Sequence, residues 1–444
     1  MAIGPGGKAT PAGASFLRAV NRPARSAILS DMNDREFALD VVRKLQGAGY
    51  TALWAGGCVR DELLGLKPQD YDVATSARPE QLRPLFKHRN EIGAHFGVVQ
   101  VIGPKGDDRE WLTVEVATFR SDGAYIDGRR PESVMFSSPE LDAQRRDFTI
   151  NGMFFDPLKG ELIDFVGGRA DLSAKVLRAI GDAAARFAED KLRIVRAARM
   201  ATRFDLAIDP ATHAAARRMA PEIRVVSAER IAEELRKLLV HPNRARGAAL
   251  LRELGLAEAI FPELGGDEWA RGAKAVEALA KPQAASFPLA LAALLHPLHP
   301  HKAFGAVNAA MRLKLSNAET ERVAFLVGMQ TALLPAESMR ASKLKPLLVH
   351  PGIGELLALH RALAVATGVS AAHVEFCETV IRDTPPEVLD PPPVLTGADL
   401  IAMGLKPGPA FKPVLDAVRE AQLEGRAATK EQALALTREL LRET

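Results

Sequence analysis

The strongest constraint on this chain is a change of pattern near Gly168. Between Asp34 and about Val166, short apolar or alternating runs (Thr51–Ala55, Tyr71–Thr75, Val98–Ile102, Leu112–Thr118, Glu161–Phe165) sit between Gly, Pro and Asp clusters. That is the pattern of strands sharing one sheet. Ahead of them, Asp34–Gln46 has helical spacing, with Phe37, Ala38, Val41, Val42 and Leu45 on one side and Gly47 and Gly49 to stop it. Beyond Gly168 strand signals almost vanish, and long Ala/Leu/Arg segments run on without a fixed-period repeat. The division predicts an α+β chain: a small mixed-sheet head followed by an elongated all-α neck, body and tail.

At 444 residues the chain is too long for one ordinary core. The expected segments are a disordered basic arm (1–33, with Lys8, Arg18, Arg22 and Arg25), a head (34–166), a neck (167–240), a body (241–390) and a tail (391–444). The clearest seam is the proline-rich Asp383–Pro393. Apolar residues at 47% and charged residues at 25% exclude wholesale disorder. A net charge of +3 permits a nucleic-acid partner without announcing one. Two distant cysteines, Cys58 and Cys377, supply no disulfide framework and fit a reducing compartment. No run approaches the roughly 18 apolar residues of a membrane span, and the N-terminus lacks an apolar signal core. A cytoplasmic protein without a membrane partner is expected.

Two short stretches carry chemistry. Gly56-Gly57-Cys58-Val59-Arg60-Asp61 follows a strand and leads into a helical turn. Two glycines there let backbone N–H groups face a phosphate, reinforced by the helix start and by Arg60. Such a turn alone is more often only a turn. Shortly after comes Gln69-Asp70-Tyr71-Asp72 opening an apolar strand. Residues two apart on a strand share a face, so Asp70 and Asp72 would project both carboxylates together. Paired like charges call for a cation, and oxygen ligands beside a phosphate nest suit Mg²⁺, with two metals for in-line displacement at phosphorus. An isolated D-x-D reads as a solvated strand edge; the neighbouring nest reverses those odds.

With GGCVRD followed by QDYDVAT, the chain resembles the polymerase-beta-like nucleotidyltransferases, specifically the tRNA CCA-adding enzymes (class II tRNA nucleotidyltransferases) and their poly(A) polymerase relatives. The likeness continues in order. Thr118–Gly123 through Asp127–Pro131 is similar to the loop before that family's second motif, and Arg145-Arg146-Asp147-Phe148-Thr149-Ile150-Asn151 to the motif itself. Asp164–Gly168, Glu189–Arg193 and Ala228–Leu235 resemble the third, fourth and fifth motifs.

The resemblance implies template-independent addition of CCA to the 3′ end of tRNA from CTP and ATP, with Mg²⁺ at Asp70 and Asp72. Asp190 and Arg193 would read the base: an acceptor beside a donor matches the edge shared by C and A, and fails with G and U. The bland alternative is an i,i+3 helical ion pair. Arg145 and Arg146 are expected to clamp phosphates, and Asp147 or Asn151 to bind a ribose hydroxyl. Arg193, Arg196, Arg199 and Arg203 share one helical stripe; Arg196 is placed with the nucleotide and Arg199 and Arg203 with RNA. Glu115, read as a buried acid within Val114-Glu115-Val116, is the candidate third carboxylate, at even odds with a structural ion pair.

Other features take the plain reading. His296, His299 and His301 are loop histidines, Cys58 is inert, and Cys377 is core. The tail, Val394–Leu400 through Gly404–Pro409, resembles the C-terminal segment of many CCA-adding enzymes; RNA contact and a structural cap are equally open. The alternatives to full CCA addition are a bacterial poly(A) polymerase, a partial CC- or A-adding enzyme, and a dead RNA-binding scaffold. A strongly basic C-terminal extension is missing and Glu91–Val99 looks CCA-type, against the first. The long Ser121–Gln144 loop stands against the second, and intact Asp70 and Asp72 against the third.

Overall fold

A computed structural model describes residues 32–91, 97–106, 110–122, 134–279, 285–298 and 303–442. Nearly all of the N-terminal arm, residues 92–96 of the Glu91–Val99 segment, residues 123–133 of the Ser121–Gln144 loop, and His299 and His301 lie outside the described residues. The chain divides into two compact units, residues 1–119 with 154–162, and residues 120–153 with 163–444.

The first unit is built on a sheet. Its strands are β1 (Ala52–Ala55), β2 (Asp72–Thr75), β3 (Arg89–Asn90), β4 (Val98–Lys105) and β5 (Trp111–Thr118). A separate ribbon of β6 (Arg120–Asp122) and β7 (Val134–Phe136) belongs to the second unit, and β8 (Phe154–Asp156) and β9 (Glu161–Ile163) complete the sheet. The order is β3-β4-β5-β2-β1-β8-β9, antiparallel except for the β2–β5 pair, so the sheet is mixed. The five expected strands form within a few residues of their sequence bounds. The short β3 and β8 gave no sequence signal, yet β8 pairs with β1 through Phe155 and Phe154.

Helix α1 (Asp34–Gly47) starts on an Asn33–Glu36 capping box and buries Phe37, Ala38, Val41, Val42 and Leu45. Those apolar side chains are each worth roughly 1.5–3 kcal/mol for the larger ones. The approach to β4 is close: a Cβ at Gly103 would stand 2.6 Å from the Phe37 ring, so only glycine admits the helix there. Helix α2 (Gly57–Leu63) follows β1 directly.

The second unit is helical, with α4 (Pro139–Gln144) after the short α3 (Pro79–Leu82) of the first unit, then α5 (Gly168–Ser173), α6 (Ala183–Glu189), α7 (Leu192–Phe204), α8 (Pro210–Met219) and α9 (Ala228–Leu239). Helices α10 (Arg244–Glu253) to α18 (Ala372–Asp383) continue the chain, and the nearly wholly apolar Phe287–Leu295 packs chiefly against Gly266–Ala278, Asn317–Gly328 and Ile353–Thr367. After the proline-rich seam, Leu395, Leu400, Val418 and Ala433 form a separate small core. Segment 120–153, read from sequence as part of the head, groups instead with the helices. Its ties are specific: Phe148 bridges to Ala179, and Thr149 N–H donates to the Arg178 carbonyl.

Two histidines are sealed in the helical core. His360 Nδ1 lies 3.1 Å from His373 Nε2, and its Nε2 lies 3.1 Å from the Met329 carbonyl. Burial, with His373 adding to it, lowers the His360 pKa to about 4. Because the folded value lies below the unfolded one near 6.5, this residue's contribution is complete above that value and is lost as pH falls from there through 4. Urea unfolding between pH 7 and 4.5 should therefore show a stability slope steeper in the parent than in His360→Gln, by at most about 1.4 kcal/mol per pH unit. Equal slopes would remove His360 from the account.

Candidate active site

In the first unit, the turn after β1 begins with Gly56 at φ +72 and ψ −119, a conformation open to glycine and closed to other residues at little cost. Helix α2 starts at once on Gly57, where a Cβ would meet only the Arg60 guanidinium at 3.7 Å. Arg60 itself does not project from this turn as the sequence suggested. It is buried, and its Nε and Nη2 donate to Asp61 at 2.8 and 2.6 Å. Cys58 is sealed behind the turn; its thiol donates to the Ala55 carbonyl, and burial pushes its pKa up to about 12.

Asp72 opens β2, with Asp70 exposed two residues earlier and the buried Tyr71 between them. Tyr71 packs on Trp54 with ring centroids 4.9 Å apart, and its hydroxyl donates to Glu62 at 2.7 Å. That anchor fixes the entry into β2; Asp70 precedes the strand, so strand period alone does not set its carboxylate beside that of Asp72. The parallel register puts Asp72 directly beside Glu115 of β5. Glu115 is thus on the expected neighbouring strand, but it is exposed rather than buried: β5 alternates outward Trp111, Thr113 and Glu115 with inward Leu112, Val114 and Val116. Among the described residues no group of three or more His, Cys, Asp or Glu side chains is gathered tightly enough to hold a metal. Two carboxylates on one face nevertheless fit Mg²⁺, which keeps several waters and takes its other ligands from phosphate oxygens.

In the second unit, Asp142 organises the arginines. Arg145 Nη2 reaches its Oδ1 at 2.8 Å and Arg146 Nη2 its Oδ2 at 3.0 Å. Burial opposes ionisation of Asp142, but Arg146 and Arg145 outweigh it and hold the carboxyl below its usual range. Asp147 is also buried; its Oδ1 accepts from Phe148 N–H at 2.7 Å and Asn151 Nδ2 at 3.0 Å. Its Oδ2 lies 2.8 Å from Arg196 Nε as an ion pair, yet out of line for a hydrogen bond, so that oxygen lacks an aligned donor. Asp147 is kept ionised against its burial by Arg196 first, then by Asn151.

Asp190 and Arg193 do not pair with each other. Asp190 takes Arg230 of α9 in a two-pronged contact at 3.2 and 2.6 Å, and also accepts from Leu192 N–H. Arg193 donates to Glu189 at 2.6 Å, to the Arg186 carbonyl at 2.9 Å and to the Arg145 carbonyl at 3.3 Å. Arg230, Glu189 and Asp142 are the residues that the sequence reading gave no role. Asp142 had a signal, lying three and four residues before Arg145 and Arg146; Arg230 lies 40 residues from Asp190 and had none.

The four-arginine stripe does not survive. Arg196 is exposed and Arg203 half-exposed over the Phe204 ring, but Arg199 is only 8% exposed and ion-paired with the buried Glu234. α7 packs on α9 there, so Arg199 is a structural cation, not an RNA contact. His296 likewise is structural, its Nδ1 2.9 Å from the Ala293 carbonyl.

A mixed sheet carrying acids beside a glycine turn in one unit, and arginine ion pairs in a helical second unit, are features found in nucleotidyltransferases. Residues 52–178 match the family model described as poly A polymerase head domain, and residues 205–266 the model described as probable RNA and SrmB-binding site of polymerase A. A CCA-adding enzyme of Geobacillus stearothermophilus is 41% identical over 232 residues, 52% of this chain and 55% of that protein. Poly(A) polymerase I of Haemophilus influenzae is 36% identical over 250 residues, 53% and 54% of the two chains. The alignments thus span about half the length of these curated relatives. The crystal structure of Bacillus stearothermophilus CCA-adding enzyme in complex with CTP superposes with a TM-score of 0.75 at 30% identity, covering 93% of this chain and 99% of that one. The chain belongs to the family of CCA-adding enzymes and poly(A) polymerases.

Breaking a buried ion pair from one side strands a charge. Glu234→Gln and Arg199→Met should each cost roughly 3 kcal/mol in urea unfolding, and the double variant Arg199→Met/Glu234→Leu should recover much of it. Single variants of unchanged stability would return Arg199 to the candidate RNA contacts.

Proposed function

We propose that the chain adds C, C and A to the 3′ end of tRNA, using CTP and ATP and releasing pyrophosphate. The observation that supports this reading is the parallel register of Asp72 with Glu115, with Asp70 exposed two residues before the strand and the Gly56-Gly57 turn at the end of the neighbouring β1. The family membership adds to it, since the superposed relative is a CCA-adding enzyme in complex with CTP.

In this reading the terminal 3′-hydroxyl of tRNA attacks the α-phosphorus of the nucleotide. Asp70 and Asp72 would hold Mg²⁺, which when bound supplies charge neutralisation for the attacking oxygen and the leaving pyrophosphate. The chain's own groups position: in the first unit Gly56 and Gly57 let a triphosphate approach the backbone, and in the second Arg145 and Arg146, pre-set by Asp142, are the candidate phosphate-binding cations. Arg60, turned to Asp61, keeps the shape of the turn. Asp147 offers its Oδ2, short of an aligned donor, to a ribose hydroxyl. Asp190, steadied by Arg230, accepts from the amino group of C or A, and Arg193 donates to the ring nitrogen beside it. Arg193 has five N–H donors, and its Nε–H is uncommitted among the described residues. Arg203 remains a candidate RNA contact. Such an enzyme works on the tRNA pool of the cytoplasm.

Open-ended A addition is the second reading, favoured by the likeness to the Haemophilus enzyme. The two separate on tRNAs ending before C, after C and after CC, incubated with Mg²⁺ and all four nucleotides and then sequenced. Completion at CCA is expected; poly(A) tails on unrelated RNA, or arrest at CC, would replace the reading. Asp70→Ala and Asp72→Ala should each slow incorporation by at least about a hundredfold while CTP still binds. Normal incorporation in either variant contradicts the carboxylate assignment. Asp147→Asn should erode the preference for CTP over dCTP by roughly tenfold, as read from the ratio of their kcat/KM values. An unchanged ratio would leave ribose recognition elsewhere.

A further inference from the structure

One side chain on the sheet has no role in this scheme. Trp111, the first residue of β5, is 61% exposed, whereas Trp54 and Trp269 are 1% and 2% exposed. It lines a groove of about 590 Å³ with Lys87, His88, Arg89, Ile102 and Thr113. Among the described residues this lining carries no carboxylate, while Asp34 and Glu110 stand with Trp111 in the adjoining cavity. Lys105 stands over the indole, 5.5 Å from the ring centroid. Arg89 is already committed, to Glu91 at 2.6 Å and to the Phe86 carbonyl at 2.9 Å, so it stiffens the wall while exposed Lys87 and Lys105 carry the charge.

The alternation of β5 sets where this groove opens. Trp111, Thr113 and Glu115 are successive outward residues, so the indole lies on the face that bears Glu115 and, by register, Asp72. Four residues of strand separate Trp111 from Glu115, about 13 Å. An exposed aromatic ring flanked by ammonium groups is the arrangement that binds an unpaired base by stacking while cations meet its phosphates. A protein partner would instead call for an apolar core poor in lysine around the indole, and the neighbours here are Lys87, His88, Arg89 and Thr113 with one aliphatic residue, Ile102.

We propose that the Trp111 groove is an RNA-binding platform of the head, on which an unpaired nucleotide of the RNA substrate stacks while Lys87 and Lys105 hold its phosphates. The proposal rests on the reading that this chain extends an RNA end, and adds a contact outside the reacting atoms.

Because the other two indoles are buried, quenching by acrylamide reports on Trp111 in the full chain. Titration with tRNA and with a short unpaired RNA should quench the emission and shield it from acrylamide. Trp111→Ala should lose that response and raise KM for tRNA roughly tenfold, leaving kcat and KM for CTP unchanged, while Trp111→Tyr keeps most of the affinity. Lys87→Ala/Lys105→Ala should weaken RNA binding and flatten its salt dependence. An indole still fully quenchable at saturating tRNA, an unchanged KM in Trp111→Ala, or equal quenching by CTP alone would overturn the platform. If the parent fails to extend tRNA while RNA still shields Trp111, the activity reading falls and the platform stands.

Discussion

Two carboxylates side by side on adjacent parallel strands repel each other, and the sheet holds them there regardless. Asp72 and Glu115 cannot move apart, because Val73 pairs with Val116 and Ala74 with Ala117 immediately behind them. A one-residue slip would turn every inward side chain outward, so the buried Val114 and Val116 fix the register. Like charges locked in this way are tolerable at an exposed strand start, where water screens them, and become favourable when a divalent cation is present. The architecture behind them, α1 on the sheet and Tyr71 on Trp54, is rigid for the same reason: reacting atoms must be placed to within a fraction of an ångström.

The helical unit meets the opposite demand, holding cations. Four carboxylates, Asp142, Asp147, Asp190 and Glu234, each take at least one guanidinium, and three of them are buried. Each pair fixes a side chain that would otherwise have many rotamers, which is the condition for reading a base edge with protein groups alone. The pairs differ in what they leave over. Glu234 and Arg199 are buried together and serve the packing of α7 on α9. Asp147 Oδ2, by contrast, lacks an aligned donor, a cost that a ligand hydroxyl would relieve.

How much of this the sequence disclosed follows from range. The Gly-Gly turn was legible because its geometry is local to one turn; of the D-x-D, Asp72 opens the strand while Asp70 lies before it. Glu115 was placed on the right strand and the wrong side, since its two apolar neighbours drew attention away from the strict alternation that puts it outside. Arg199 was misjudged for a related reason. Arginine spacing suggests a face, but α7 is buried on most sides, and the residue that neutralises Arg199 lies 35 positions on. The strand β8 was invisible because three residues carry too little period, and its place is set by β1.

The buried thiol limits which chemistry the turn can do. Cys58 stands in the chain between the Gly56-Gly57 turn and the acids, where an activated cysteine would be a nucleophile. Desolvation instead lifts its pKa to about 12, with Asp72 nearby also disfavouring a second negative charge, and its proton is held toward the Ala55 carbonyl. The thiolate is therefore absent at neutral pH, and the one sulfur in the site acts as a small apolar filler under Gly56. With that route closed, the proposed reaction asks the sheet for position and charge, and its attacking oxygen is the substrate's own hydroxyl. Under the proposed reading, how the RNA end is held then decides whether that oxygen is in place, and a stacking surface on the same face of the sheet would bear on RNA affinity.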